Sequence, residues 1–420
     1  MSDKNISSTL TPLFLGIMMS AGLGSVAIAG PAEQANAIEF PADVVYMQEK
    51  PDGSMFVGYE SVDKDNCSDT RCFSYGIINS DNSVKLAKNW LMGSFVYQYQ
   101  ANEKNTTLMD KNGDIYLSLF PTREILKISD PENTPQIVFE APAIVNKSGD
   151  VRSANVVRVH DFIFNDDFSH MYVRMQVESP MEMGMAAVDL RKSDHPVIWH
   201  DSRTKTNSVL FNPNSNELVY QGLNNLAAEP LVAYMMSATT GEYSKNGGPL
   251  FTGLQSVQAK EGVGNVAYGL DYADCKVTKM MLADGKIGEE IWTNEVPGCK
   301  VNINNGEKRT IALNSFDKFL YAGYENIITI FDKENGNRVI DVFPPVGKFY
   351  GDIKFNSNTQ KAYRLFSDGV EYGVLEFSHE GKTKVYPAAE KTGDFVTFGS
   401  HLYMGESNKV VKYNLDVKEI

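Results

Sequence analysis

Four of the six histidines, His160, His170, His195 and His200, crowd into the segment 160–200, together with Met171, Met175, Met181, Met183 and Met185. Thioether sulfur and imidazole nitrogen are the soft donors that hold Cu(I). Met181-Glu-Met183-Gly-Met185 is therefore a candidate copper loop, with His170, beside Met171 in the same stretch, as its imidazole. The competing reading is packing, because methionine fills irregular gaps between sheets and makes adaptable contact surfaces. A second metal candidate is Asp110-Lys-Asn112-Gly113-Asp114, whose oxygens alternate like the start of a calcium loop. The remainder of that motif is missing, since Gly arrives at its fourth position and Pro121 stands where the twelfth-position Glu belongs. A strand-connecting turn is the expectation there, as at Asp52-Gly53 and Asn335-Gly336. Copper and calcium stay as options, and no motif demands a cofactor.

Other chemistries leave less trace. The chain has no Gly-x-Ser-x-Gly elbow and no His-Glu-x-x-His. Triads also assemble from distant segments, so the enzyme question stays open, with the weight on a non-enzyme. Gly22-Leu-Gly24-Ser-Val-Ala27 spells a dinucleotide fingerprint, but it lies in an apolar leader and not in a strand–turn–helix unit. Cys67, Cys72, Cys275 and Cys299 have neither metal-knuckle spacing nor a Cys-x-x-Cys. Two local disulfides, Cys67 with Cys72 and Cys275 with Cys299, are expected, against the alternative of buried free thiols. Trp90, Trp199 and Trp292 each fall near the end of a sequence unit, at the expected outer strand, where packing accounts for them better than a stacking platform.

Residues 13–30 are apolar and uncharged, preceded by Lys4 and followed by Ala27-Ile28-Ala29 and Ala35-Asn36-Ala37. That is a secretory signal pattern, with residues 1–37 as the leader and Ile38 as the mature start. An uncleaved membrane anchor is the alternative, and no later segment could span a bilayer. Export, periplasmic or secreted, also suits an even cysteine count. The whole chain of 420 residues has 39 Lys plus Arg against 53 Asp plus Glu, a net charge of −14, so nucleic acid is excluded as a general partner. With 42% hydrophobic and 22% charged residues, the composition is that of a globular protein with a large core.

The elements that must position these residues show up as a period. A polar turn followed by an apolar run with an aromatic recurs eight times, at Phe56, Tyr116, Tyr172, Tyr220, Tyr268, Tyr321, Tyr363 and Tyr403. Spacings of 60, 56, 48, 48, 53, 42 and 40 residues match four-stranded propeller blades. In four units an apolar residue and Asn precede the run: Phe164-Asn165, Phe211-Asn212, Leu313-Asn314 and Phe355-Asn356. Such Asn residues suit turns. The sixth unit shows four strand candidates, Thr310 to Leu313, Phe319 to Gly323, Ile327 to Phe331 and Arg338 to Val342. The chain from 38 to 420 thus reads as all-β, a single closed β-propeller of eight blades. Seven blades with a large insertion is the alternative.

The last unit runs Phe395 to Phe398, His401 to Met404 and Val410 to Leu415, and lacks an outer strand. Ile38 to Phe40 is expected to supply it and so to join the two ends of the ring. Ile327-Ile-Thr-Ile-Phe-Asp332-Lys-Glu-Asn-Gly336-Asn-Arg-Val-Ile340 resembles the strand, Asp, Gly turn and strand of YVTN-repeat and quinoprotein amine dehydrogenase β-chain propellers, and Tyr234 to Gly241 echoes it more faintly. The resemblance implies architecture only. It covers one or two blades and carries no functional residue across.

The functional expectation follows from that architecture: an exported binding or scaffold subunit that engages a protein partner or small ligand through blade loops and the channel mouth. Val62 to Arg71 and Tyr97 to Thr107, the long insertions, are the candidate contact loops. The alternative is a redox or lyase-type enzyme, or an amine dehydrogenase-like subunit of one, that uses a metal or a partner's cofactor.

Overall fold

Short runs of β-branched and aromatic residues, cut every five to nine residues by Asn, Asp and Gly, can bury themselves only as strands packed on both faces. The computed structural model describes residues 26–28, 37–62, 67, 71–93, 107–119, 122–141, 157–178, 181–201, 205–223, 232–246, 257–263, 266–271, 275–282, 289–299 and 312–415. These form eight antiparallel four-stranded blades: 43–92, 107–140, 157–201, 205–246, 257–295, 312–342, 348–388, and 392–414 with Ile38–Glu39. From blade three round to blade one, the first strands of neighbouring blades lie against one another, which makes them the innermost strands of the ring. In blade one the second and third strands, Met55–Ser61 and Cys72–Ile78, are buried at every position. Sandwiched between neighbours, they need apolar side chains on both faces, so they read as runs and not as alternation. All eight aromatics of the sequence period lie on the second strands, one per blade. Phe56, Tyr116, Tyr172, Tyr268, Tyr321 and Tyr363 are buried there.

The turns follow the same logic. In blades three, four and seven the Asn after the inner strand accepts backbone amide hydrogens across the turn, as Asn356 Oδ1 does from Asn358 and Thr359. Blade six departs from the expectation. Its inner strand is Ala312–Phe316, Asn314 pairs within it, and a two-residue turn, Asp317-Lys318, follows. Asn314 instead donates through Nδ2 to the Ile353 carbonyl of blade seven. The Asp332–Gly336 turn caps the third strand of blade six, with Asp332 Oδ1 accepting from the amides of Glu334 and Asn335. Gly336 has φ +75°, and a Cβ there would sit 2.7 Å from Cδ2 of Trp292, on the outer strand of blade five. Gly241 repeats the arrangement with φ +70°, and its Cβ would sit 2.7 Å from Cδ2 of Trp199, on the outer strand of blade three. The two outer-strand tryptophans are thus wedges under the glycine turn of the next blade. Trp90 packs edge-on against Tyr59 with ring centroids 5.4 Å apart.

Ring closure uses the N-terminal segment as expected. Ile38 pairs with Val410 and Glu39 with Lys409, so the outermost strand of blade eight comes from the start of the propeller sequence. The Phe40 and Val44 amides then donate to the Asn408 and Ser407 carbonyls, both at 2.7 Å. Closer to the axis, Asp394 of blade eight joins three blades. One carboxylate oxygen accepts from Lys354 Nζ of blade seven at 2.8 Å, the other from the Met47 amide of blade one at 2.8 Å. A chain beginning at Ile38 should keep the fold intact. Removing residues 38–46 as well should lower the midpoint by several degrees and cost monomer yield, because it strips the outer strand of blade eight and half the inner strand of blade one. Thermal unfolding of the two truncations, with size-exclusion chromatography, makes the comparison.

Candidate functional site

In an antiparallel four-stranded blade the first–second and third–fourth turns emerge at one end of the ring. At that end, closure sets the Lys50–Ser54 and Asn79–Ser83 turns of blade one beside the Gly399-Ser400 turn of blade eight. Between them opens a cleft of about 340 Å³. Met55, Ile78 and Phe398 supply its apolar part, and Glu49, His401, Tyr403 and Lys412 its ionisable groups. Gly53 and Phe398 meet across the seam, 3.7 Å separating the Phe398 ring from the position of a Gly53 Cβ. The turns that form the walls are tied down. Asp52 Oδ1 accepts from both the amide and the hydroxyl of Ser54, Asn79 Nδ2 donates to Ser83 Oγ, and Asn356 Nδ2 of blade seven donates to the Gly399 carbonyl.

The cleft combines a carboxylate, an imidazole and an ammonium around an aromatic ring. The Lys412 ammonium stands 5.7 Å from the centre of the Tyr403 ring, and the His401 ring lies 6.1 Å from it. Burial pushes the Glu49 carboxyl above the usual range and raises the Tyr403 phenol too. Such a set can accept and donate hydrogen bonds to a polar group while an aliphatic or aromatic group lies on Met55, Ile78 and Phe398. The residues come from both ends of the chain, so no local motif could have announced them. The one usable signal was the pairing of His401 and Tyr403 in the eighth repeat with the expected meeting of blades eight and one.

The hairpin of blade three sets His170 apart from the Met181 end of the copper candidate. Met181, Met183 and Met185 occupy alternate positions of the strand Met181–Asp189, and His170 pairs with Asp189 at its far end. His170's partner, Asp189, lies eight positions along the strand from Met181, about 26 Å away. Met185 is buried among Tyr172, Ala187, Val209 and Leu218. The side chains of Met181 and Met183 lie outside the described residues. His170 Nδ1 lies 2.7 Å from Ser169 Oγ, and burial followed by the Arg191 charge lowers its pKa. Asp110 accepts from the amides of Asn112 and Asp114 at 2.8 and 3.0 Å, which makes the segment a turn between the first two strands of blade two. Among the described residues no three His, Cys, Asp or Glu side chains converge on one point. Cys67 pairs with Cys72 and Cys275 with Cys299, with Cα atoms 5.6 and 5.9 Å apart. Residues 63–66 and 68–70 of the first candidate contact loop and 97–106 of the second lie outside the described residues, as do 1–25 and 29–36 of the leader. No helix among the described residues is long and apolar enough to cross a membrane.

Two buried charges sit at contacts between blades. Arg364 donates to the Tyr324 and Gly351 carbonyls, and burial lowers its pKa to about 9, with Asp352 and Glu325 opposing. Asp394 is raised by burial, with Lys354 opposing.

By sequence the chain matches no protein-family pattern and no curated protein. By structure it is similar to Chaetomium thermophilum Sqt1 bound to the N-terminus of the ribosomal protein L10, at TM-score 0.57 and 12% identity over 89% of this chain and 97% of that one. A chain of the mitotic checkpoint complex aligns at TM-score 0.47 and 9% identity, over 76% of this chain and 90% of its own length. Chaetomium thermophilum Raptor aligns at 0.48 and 8%, over 76% of this chain and 28% of its own.

Four variants test this geometry. Asp394→Ala leaves the Met47 amide without its acceptor and Lys354 without its counter-charge, and should cost about 3–5 kcal/mol in urea unfolding. The folded chain holds the Asp394 proton more tightly than the unfolded chain does. Its contribution to stability therefore falls as pH rises from 3.8 toward the folded value, and Asp394→Asn should flatten that slope. Met185→Leu, a volume-conserving change in a packed site, should cost less than about 1.5 kcal/mol and leave Cu(I) competition titrations unchanged. A Met181→Leu/Met183→Leu pair tests the rest of the copper candidate.

Proposed function

We propose that the protein is an exported binding or scaffold subunit, and that it engages a protein partner through the cleft at the seam between blades eight and one. The observation that carries this reading is the cleft itself, a wall of braced turns around Glu49, His401, Tyr403 and Lys412. A rigid ring that presents such turns fixes a binding surface without ordering cost at the moment of binding. The fold shared with Sqt1 supports the reading in kind, since that chain is seen bound to the N-terminus of another protein. Export rests on the leader pattern of residues 1–37, and the two disulfides suit an oxidising compartment. The second reading, a YVTN or amine dehydrogenase-like propeller serving redox or lyase chemistry, is supported by the Asp332–Gly336 turn and calls for a bound metal or chromophore.

Purification of the chain from its native host separates the two. A stoichiometric partner that is lost from His401→Ala/Lys412→Glu, while the melting midpoint stays put, supports cleft binding. Equal recovery of the partner with that variant moves the interface elsewhere. A stoichiometric metal or chromophore supports the enzyme.

A further inference from the structure

A closed propeller removes the edges between blades but leaves each blade's outermost strand with one unpaired side. Among the described residues, blade seven is the exception. Its outer strand, Thr383–Ala388, carries a fifth strand, Val26–Ile28, in parallel register, with Val26 opposite Thr383, Ala27 opposite Lys384 and Ile28 opposite Val385.

The ladder explains why pairing stops at three residues. The Ser378 amide donates to the Lys382 carbonyl, and Ser378 and Lys382 continue the Phe377–Thr383 pairing. Alternation along an antiparallel pair then turns the backbone groups of Thr383, Val385 and Pro387 outward. Thr383 and Val385 offer both an N–H and a carbonyl to a fifth strand. Pro387 has no N–H, and ends the acceptor edge.

The position of the donor strand is equally informative. Val26–Ile28 belongs to the leader pattern, and residues 29–37 join it to Ile38, the outer strand of the neighbouring blade eight. Nine residues reach at most about 30 Å, so the tether holds a three-residue strand near its edge at high effective concentration. A three-residue ladder without that tether is weak. A chain that begins at Ile38 therefore exposes the edge.

We infer that the outer edge of blade seven is a strand-acceptor site. It is capped by Val26–Ile28 while the leader is attached, and open in the mature chain to an extended, β-branched segment of a partner protein running parallel to Thr383–Val385. The inference rests on the reading of the protein as an exported binding subunit, and adds to the seam cleft a second surface that recognises backbone and not side-chain charge. The β-branched preference follows from the sequence of the occupant seen there, Val-Ala-Ile, and the affinity from β-addition, in which main-chain bonds hold the added strand.

The test is amide hydrogen exchange on purified protein, read at Thr383 and Val385. In the full chain these amides should exchange roughly tenfold more slowly than in residues 38–420, with the amides of Leu402 and Val411 in blade eight unchanged as a control for folding. A synthetic peptide of residues 22–32 added to residues 38–420 should restore protection, and the same peptide with Ala27→Pro, which removes the N–H of the residue opposite Lys384, should not. Thr383→Pro removes one outward N–H without touching the blade's own ladder, and should abolish peptide protection. Equal exchange in the two chain lengths, or protection by both peptides, overturns the inference even if Thr383→Pro fails to fold. Because no host partner is used, loss of the seam-cleft reading and loss of this one are read separately.

Discussion

Everything in this molecule depends on the ring being closed by a strand from the opposite end of the propeller sequence. A single blade of four short strands cannot bury both faces, so each blade is stable only between two others. A ring with one gap would leave two blades half-covered. The pairing of Ile38–Glu39 with Lys409 and Val410 fills that gap at the perimeter, and Asp394, shared between Lys354 and the Met47 amide, fills it near the axis. The two devices differ in kind. The outer one is a backbone ladder, tolerant of side-chain change. The inner one is a buried carboxylate, costly to desolvate, whose two oxygens are each committed to a different blade, so it favours one spatial arrangement of three blades over all slipped ones.

The seam cleft is a by-product of the same closure. It opens where the covalent chain does not connect the blades, and its walls belong to blade one on one side and blade eight on the other. Elsewhere neighbouring blades are consecutive in the sequence. At the tryptophan wedges the seam is sealed instead: Trp199 under Gly241 and Trp292 under Gly336, with Asn294 Nδ2 also donating to the Gly336 carbonyl at 2.8 Å. The resemblance carried by Asp332 to Gly336, and echoed at Tyr234 to Gly241, thus has a packing reason. A side chain at either glycine would collide with the indole of the previous blade.

Buried hydrogen-bonding carboxylates recur on the later blades and set their internal order. Glu376 accepts from the hydroxyls of Tyr363 and Tyr386 at 2.9 and 3.0 Å and from Lys361, while Glu406 accepts from Tyr413 at 2.7 Å and from the Ala389 amide at 2.8 Å. Each lets a tyrosine fill an apolar position without stranding its hydroxyl.

The sequence alone determined the class, the number of blades, the aromatic strand of each, both cysteine pairs and the strand that closes the ring. All of these are local signals, or counts of local signals: turn residues before apolar runs, a period near fifty residues, a last unit one strand short. Tertiary structure decided what those signals could not reach. Met181 and His170 are eleven residues apart in sequence, yet a hairpin of two nine-residue strands sends them to opposite ends. Glu49 and Lys412 are far apart in sequence, yet closure sets them in one cleft. Asn314 has the turn signature, but blade six prolongs its strand and gives the amide to blade seven. Spacing along a strand is fixed by backbone geometry, so it is legible. Proximity across a seam is fixed by how many blades must close the circle, and becomes visible only when the circle is complete.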